Sequence, residues 1–390
     1  MTIAKALCFE DLRRIASRRV PRAIFDYADG GAYTEGTMRA NAADLDRLRF
    51  RQRVMVDVST RSLATTVLGK PVAMPVVIAP TGLAGLYWRD GEIHGARAAA
   101  AAGIPFCLST MSICSIEDVQ RAVPERFWFQ QYLMRDRGFN EELLARASAA
   151  RCSALVLTLD LPLLGERWRD ARNGLTIPPR LTWRNAVDLA TKPRWVAGVF
   201  LAKRRTYGNL VGRIGLSDDM MTLSNWTHEN FDASVTWRDV EWVRSRWRGP
   251  LVLKGILDPE DARLAVAAGA DAIVVSNHGG RQLDGAPSSI SALPAVVEAV
   301  AGRCEVLFDG GVRSGQDIAK ALALGARACL IGRAWLYALA AGGEAGVARL
   351  LGLLASQLEV TLALTGTTSV AAAGRGMLQP VRYVDCADGD

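Results

Sequence analysis

The sequence predicts an α/β fold: a (β/α)8 TIM barrel with an N-terminal helical segment and a long insertion after the fourth strand. Three observations predict it. Eight short β-branched runs recur along the chain, apolar on both faces. Most gaps between them hold an Ala-rich or amphipathic stretch that ends in glycine. Polar residues gather at the C-terminal end of each run. Strands apolar on both faces that alternate with helices build a parallel sheet. Eight such units suit a closed barrel better than an open sheet. On pattern alone an open doubly wound sheet stays possible, but no GxGxxG follows the first run, which disfavours a dinucleotide-binding version.

Taken in order, the N-terminal stretch MTIAKALCFEDLRRIASRR reads as a charged amphipathic helix. It lacks the apolar core and small-residue cleavage site of a signal peptide, so the expected location is the cytoplasm or the cytoplasmic face of the inner membrane. The runs are PVVIAP (75–80), IPFCLS (104–109), RFWFQQY (126–132), SALVLTLD (153–160), PLVLKG (250–255), DAIVVSN (271–277), CEVLFDGG (304–311) and ACLIGR (328–333). Between them GEIHGARAAAAAG, PEDARLAVAAGA and SGQDIAKALALGA read as helices. Asp258 before Pro259 is a helix N-cap with proline at the first position, and Gly269 and Gly325 end helices. Residues 1–370 form one domain, and 371–390 a polar tail.

Half the residues are hydrophobic and 22% are charged, which supplies a core and argues against disorder. No apolar run reaches the roughly 20 residues of a membrane span. The seven cysteines include no CxxC and several sit in apolar runs, so they read as buried reduced thiols. His94, His228 and His278 fit no metal spacing, and no metal site is expected. The net charge of +7 is local: residues 180–213 carry eight basic residues against Asp188, which accounts for the whole excess.

In a barrel the strand C-termini converge on one face, where active sites lie. That places Thr81 and Gly82, Ser109, Gln130 and Tyr132, Thr158 and Asp160, Lys254, Ser276 and His278 around one pocket. Asp309, Arg313, Gly332 and Arg333 follow strands seven and eight, the usual phosphate site of the fold. Exposed backbone N–H groups and guanidinium groups suit a phosphate. Tight turns with solvated arginines are the plain alternative.

Several motifs then carry a resemblance. SNHGGRQLDG, KGILDPEDA, FDGGVRSG, APTGLAG, GIPFCLST, WFQQY, YADGGAYTE and TLDLPLLGERWRDARNG occur in order over about residues 5–370. The chain resembles the FMN-dependent 2-hydroxy acid dehydrogenases and oxidases, most of all the membrane-associated, quinone-linked L-lactate dehydrogenases, with mandelate dehydrogenases next. The resemblance implies FMN on the C-terminal face. Ala79, Pro80, Thr81, Ser109, Gln130, Thr158 and Ser276 would surround the flavin. Lys254 would stand where negative charge develops on reduction. Asp309, Gly311, Arg313, Gly332 and Arg333 would hold the phosphate. Arg167 and Arg281 would clamp the substrate carboxylate. Tyr27 and Tyr132 would hydrogen-bond the substrate, His278 would be the general base, and Asp160 would orient it. His94 and His228 lie outside strand ends and read as ordinary histidines.

Three details refine this. Gly82 stands where oxidases of the family tend to carry alanine, a lean toward an acceptor other than oxygen. Met111 falls at the position lining the side-chain pocket; flexible and of middling size, it favours lactate or a short aliphatic acid. The insertion, 178–216, mixes Trp183, Trp195, Val199, Phe200 and Leu201 with basic residues. That composition suits an anionic membrane surface; a lid loop packed on the barrel is the alternative. Nucleic acid is not expected, since no recognition motif accompanies the charge. The family's usual tetramer is implied by resemblance alone. The rivals are an oxygen-using oxidase, a related FMN barrel acting as an isomerase, and a non-catalytic binding protein. Two guanidinium groups with a base and its carboxylate favour oxidation of a 2-hydroxy acid over the last two.

Overall fold

The computed structural model describes residues 2–174, 183–212, 222, 225–226 and 229–379. All eight expected runs form strands: β1 (Val76–Ile78), β2 (Cys107–Ser109), β3 (Trp128–Gln131), β4 (Ala154–Thr158), β5 (Leu251–Ile256), β6 (Ala272–Val275), β7 (Glu305–Phe308) and β8 (Ala328–Ile331). They pair in parallel in the order β1-β8-β7-β6-β5-β4-β3-β2. A parallel bridge from Ile78 to Phe106 joins the two ends, so the sheet closes into a barrel.

Alternation along the strands sorts the core into two clusters. Val77, Cys107, Val156, Val252, Val274 and Leu307 fill the barrel interior, while neighbours such as Ile78, Leu155 and Ile273 pack outward. Burying each such aliphatic side chain contributes about 1.5–3 kcal/mol. The outer layer holds α1 (Gly91–Ala101), α2 (Ile116–Ala122), α3 (Arg137–Ala149), α4 (Trp237–Arg246), α5 (Pro259–Ala267), α6 (Ser289–Val300), α7 (Gly315–Ala323) and α8 (Arg333–Leu364). The Asp258 side chain caps α5 by accepting from Glu260 N at 2.7 Å, as its sequence implies. Long and apolar enough to cross a membrane, α8 is broken at Gly342 and Gly343 and buries much of its length. It packs against α1, α7 and the N-terminal helix Phe9–Arg19.

Ahead of the barrel, helices Arg22–Asp29 and Gly36–Arg47 reach the site. Ala32 N donates to Gly280 O at 2.8 Å, and Asp284 accepts from Thr34 and Thr37. The stretch expected as a polar tail begins in short turns. Val370–Ala372 and Arg375–Met377 form 3-10 turns, and Leu378 bridges Phe50. Their cause is apolar burial of Val370, Met377 and Leu378. Residues 380–390 lie outside the described residues.

Candidate active site

A cavity of about 940 Å³ opens at the C-terminal face of the barrel. The strand register builds it. Thr158 of β4 is paired with Lys254 of β5, which sets both side by side at the rim. The register then shifts between Lys254 and Ile256. Gly255 sits there at φ +108°, and a Cβ on it would fall 2.6 Å from Asp160 Cβ. Only glycine lets the β5 bulge approach Asp160 this closely.

Asp160 meets His278. Its Oδ1 lies 2.9 Å from His278 Nδ1. His278 follows β6 in a left-handed turn, with φ +56° at His278, +67° at Gly279 and +72° at Gly280. Such backbone is rare for a residue with a Cβ and is held by its surroundings. Burial lowers the His278 pKa below its ordinary value, against the raising effect of Asp160. Asp160 is itself held low: burial would raise it, but the charge and hydrogen bond of His278 and the Lys254 charge outweigh that. With Nδ1–H donated to Asp160, Nε2 is left as the proton acceptor.

Arg281 donates to the carbonyl of Tyr27 and, at 3.2 Å, to that of Gly30. Its guanidinium stands 4.8 Å from the Tyr27 ring centre, and that of Arg167 stands 5.9 Å from the same ring. The two cations therefore stand against the same aromatic ring inside the cavity. Burial and the nearby Arg281 charge depress the Arg167 pKa, a cost that an arriving carboxylate would relieve. Burial pushes Tyr132 well up, so its phenol stays an O–H donor.

Lys254 Nζ is buried between Asp309 Oδ2 at 2.9 Å and Ser276 Oγ at 2.7 Å. Burial would lower its pKa, yet the Asp309 and Asp160 carboxylates hold it above its ordinary value. Asp309, expected at the phosphate, lines the cavity and is also the counterion of Lys254. Arg333 lines the cavity as well. It donates to the carbonyls of Ala28 at 2.8 Å, Gly279 at 2.7 Å and Gly30 at 2.7 Å. A buried guanidinium needs acceptors, and the main chain of two loops provides them. Arg313, paired loosely with Asp46 at 3.3 Å, lines the cavity with Gly311 and Gly332.

The other expected residues divide into two groups. Ala79, Pro80, Thr81, Gly82, Met111, Tyr27, Tyr132 and Thr158 line the cavity. Ser109, Gln130 and Ser276 sit behind its wall, where Ser109 Oγ donates to Gln130 Oε1 at 3.0 Å. His94 is on α1, facing Glu344 at 3.2 Å and away from the cavity; His228 lies outside the described residues.

Among the aromatic residues that sequence reasoning missed, two reach the cavity from long connections. Phe231 is brought in by an antiparallel bridge to Met134, and its ring meets Tyr132 edge-on at 5.5 Å. Tyr207 lines the cavity from the insertion. Its neighbour Asn209 is buried and anchors the segment, accepting from Ile116 N at 3.0 Å and donating to Ser112 Oγ at 3.1 Å. Long connections hid both residues, because nothing in their local sequence shows where they return.

A family model described as FMN-dependent dehydrogenase matches residues 16–380. The chain belongs to the FMN-dependent dehydrogenase family. L-lactate dehydrogenase of Caulobacter vibrioides is 51% identical over 369 residues, 94% of this chain and 96% of that protein. L-lactate dehydrogenase of Xanthomonas campestris pv. campestris is 51% identical over 362 residues, 93% of this chain and 94% of that one. Among solved structures, the monotopic membrane protein (S)-mandelate dehydrogenase superposes with a TM-score of 0.91 at 40% identity, covering 96% of this chain and 99% of that one. A mandelate oxidase superposes with a TM-score of 0.80 at 40% identity, covering 96% and 98%.

The residues of this family member fit FMN. Buried Thr81 Oγ1, Gln130 Nε2 and Asp309 Oδ1 have no hydrogen-bond partner. An orphaned buried donor or acceptor is costly. FMN offers carbonyls and ring nitrogens for the first two and ribityl hydroxyls for Asp309. Gly310 and Gly311, at φ +103° and +89°, are packed so closely on Ser289 and Asn41 that no side chain fits. This keeps their backbone open at the expected phosphate end.

Proposed function

We propose that the protein oxidises an L-2-hydroxy acid, L-lactate in the first instance, to the 2-oxo acid, and passes the electrons to a membrane quinone. One observation carries the reading: the His278–Asp160 pair and the Arg167 and Arg281 guanidinium groups converge on a cavity with orphaned flavin-type partners. When bound, FMN supplies the two-electron acceptor. It would be held by the backbone at Ala79–Thr81, by Gln130, Thr158, Lys254 and Asp309, and by Gly311, Arg313 and Gly332. Arg167 and Arg281 bind the substrate carboxylate and fix its plane. The Tyr132 hydroxyl donates to a substrate oxygen. His278 Nε2 accepts the substrate proton, and Asp160 stabilises the imidazolium that results. Buried Lys254 keeps a positive charge at the cavity floor.

Lactate is favoured over a larger acid by the two lactate dehydrogenases at 51% identity and by Met111, whose side chain lines the cavity. Mandelate is the second reading, favoured by the (S)-mandelate dehydrogenase likeness. Peripheral membrane attachment is supported by that neighbour's monotopic membrane character and by helix Trp183–Ala190, where Trp183 is 73% and Val187 58% exposed. Part of the insertion's charge is internal, since Arg204 pairs with Asp118 and Asp90; 178–182 and 213–216 lie outside the described residues.

The test is an anaerobic flavin titration with L-lactate, then L-mandelate, followed by air and then a quinone. Bleaching by lactate, slow recovery in air and fast recovery with quinone is the expected result. Bleaching by mandelate alone moves the substrate to aromatic acids, and fast recovery in air with peroxide makes the protein an oxidase. Absence of bleaching by any 2-hydroxy acid refutes the reading.

A further inference from the structure

We infer that Asn41, in the N-terminal helix Gly36–Arg47, is a positioning residue for His278, acting through a buried reciprocal amide pair with Asn277. The inference rests on reading His278 as the base. Asn41 Nδ2 donates to Asn277 Oδ1 at 2.8 Å, and Asn277 Nδ2 donates back to Asn41 Oδ1 at 2.7 Å. Both side chains are buried. Asn277 uses its full capacity: Oδ1 also accepts from Gly280 N at 3.1 Å, and Nδ2 also donates to Pro287 O at 3.1 Å. Gly280 N also donates to the Asn277 carbonyl at 2.9 Å, so the main chain and side chain of Asn277 together close the left-handed turn that carries His278. Asn277 is thus the clasp of that turn, and Asn41 sets the orientation of the clasp. Reversing the Asn277 amide would bring oxygen against the Pro287 carbonyl and N–H against Gly280 N–H, so only one orientation is compatible with the turn.

Asn41 adds two further ties. Its Oδ1 accepts from Ser289 N at 3.0 Å, and Ser289 Oγ accepts from Asn277 N at 3.2 Å. Its carbonyl packs where a Gly311 Cβ would lie, 2.6 Å away. The same residue therefore touches both the turn of the base and the glycine pair after β7. His278 is faced by Asp160 and Arg167 from the connection after β4 and by Lys254 from β5, and it shares the cavity with Tyr132 and Arg281. A turn that loosens would let the ring leave Asp160 and reach water.

The experiment uses the FMN-loaded full chain carrying Asn41→Ala, and Asn41→Asp beside it. The aspartate keeps the size and the two accepting bonds, but it turns the donation to Asn277 Oδ1 into a repulsion between two acceptor oxygens and adds a charge. Since the chain has three histidines, histidine-selective NMR can follow His278, assigned with His278→Ala. For Asn41→Ala the expected result is a fall in kcat of about tenfold or more, with KM changed less than about threefold. The His278 titration should also move up toward the free value of about 6.5. Asn41→Asp should lower kcat at least as far, and its kcat-against-KM split, which the added charge does not mimic, carries the test if the alanine variant does not fold. Unchanged kcat and an unmoved titration overturn the inference. Lost FMN with an unmoved titration also overturns it, assigning Asn41 to the glycine pair. Wild-type turnover by His278→Ala would instead refute the base assignment, while the titration still reports the positioning.

Discussion

His278 Nδ1 and Asp160 Oδ1 stand 2.9 Å apart, and the β5 bulge at Gly255 closes on Asp160 from the other side. The carboxylate has no freedom to turn away, and its second oxygen has no partner. Asp160→Asn should keep the fold but present an amide that can turn its N–H to Nδ1 and favour the wrong tautomer. We expect kcat to fall by about 10²-fold or more with FMN content unchanged. Steady-state kinetics with flavin quantified by absorbance checks this.

Because burial lowers the His278 pKa, the imidazole is unprotonated across neutral pH. The acid limb of kcat/KM should therefore have its midpoint below about 6.5. The same shift acts on stability. Between the lowered folded value and the unfolded value, the unfolded chain binds more protons at this site. The contribution of His278 is thus fully present above about 6.5 and is lost as pH falls through that window. Paired pH–rate and urea-unfolding series test both signs.

Lys254→Met should leave Asp309 buried without its counterion. Breaking one half of such a pair costs about 3–5 kcal/mol. Adding Asp309→Leu should recover much of that stability, though not FMN binding. Chemical denaturation of the single and double variants measures the coupling.

Met111 and Gly82 face each other: a Cβ on Gly82 would lie 3.1 Å from Met111 Cβ and 3.2 Å from its carbonyl oxygen. Met111→Ala should widen the side-chain end of the cavity. The mandelate-to-lactate ratio of kcat/KM should rise by about tenfold or more. Gly82→Ala should press Met111 inward and lower the same ratio. Both are read from kcat/KM with the two acids.

Trp183→Ser with Val187→Asn should weaken co-sedimentation with anionic vesicles by about tenfold, because both side chains are exposed on one helix. Turnover with a soluble acceptor should stay unchanged, as neither residue lines the cavity.

The barrel was legible because its information is local. Each apolar run carries its own strand signal, and Asp258 or Gly269 marks a boundary within a few residues. His278, Asp160, Arg167 and Arg281 were legible as neighbours through short motifs at or after strand ends, and the roles proposed for them came with the family resemblance. What stayed hidden depends on pairs distant in the chain. Nothing near Asp309 shows that Lys254, 55 residues earlier, will claim its carboxylate. Nothing in IGR shows that Arg333 will turn toward Ala28 and Gly30, about 300 residues away. Phe231 and Tyr207 were hidden for the same reason: a long excursion's return point is a property of packing, not of pattern.

Those Arg333 bonds also set a timetable. The segment around Ala28 and Gly30 leaves the ribosome before the barrel strands, while its anchor belongs to the last β/α unit and arrives 305 residues later. Asn277, Gly280 and Asp284, further partners of the N-terminal segment, are also late. During synthesis the barrel wall can grow strand by strand, but these ties across the mouth wait until β8 and Arg333 have been made. Appearance of flavin-dependent activity therefore marks the end of folding, and a chain stalled before β8 would hold most of the barrel without an active centre.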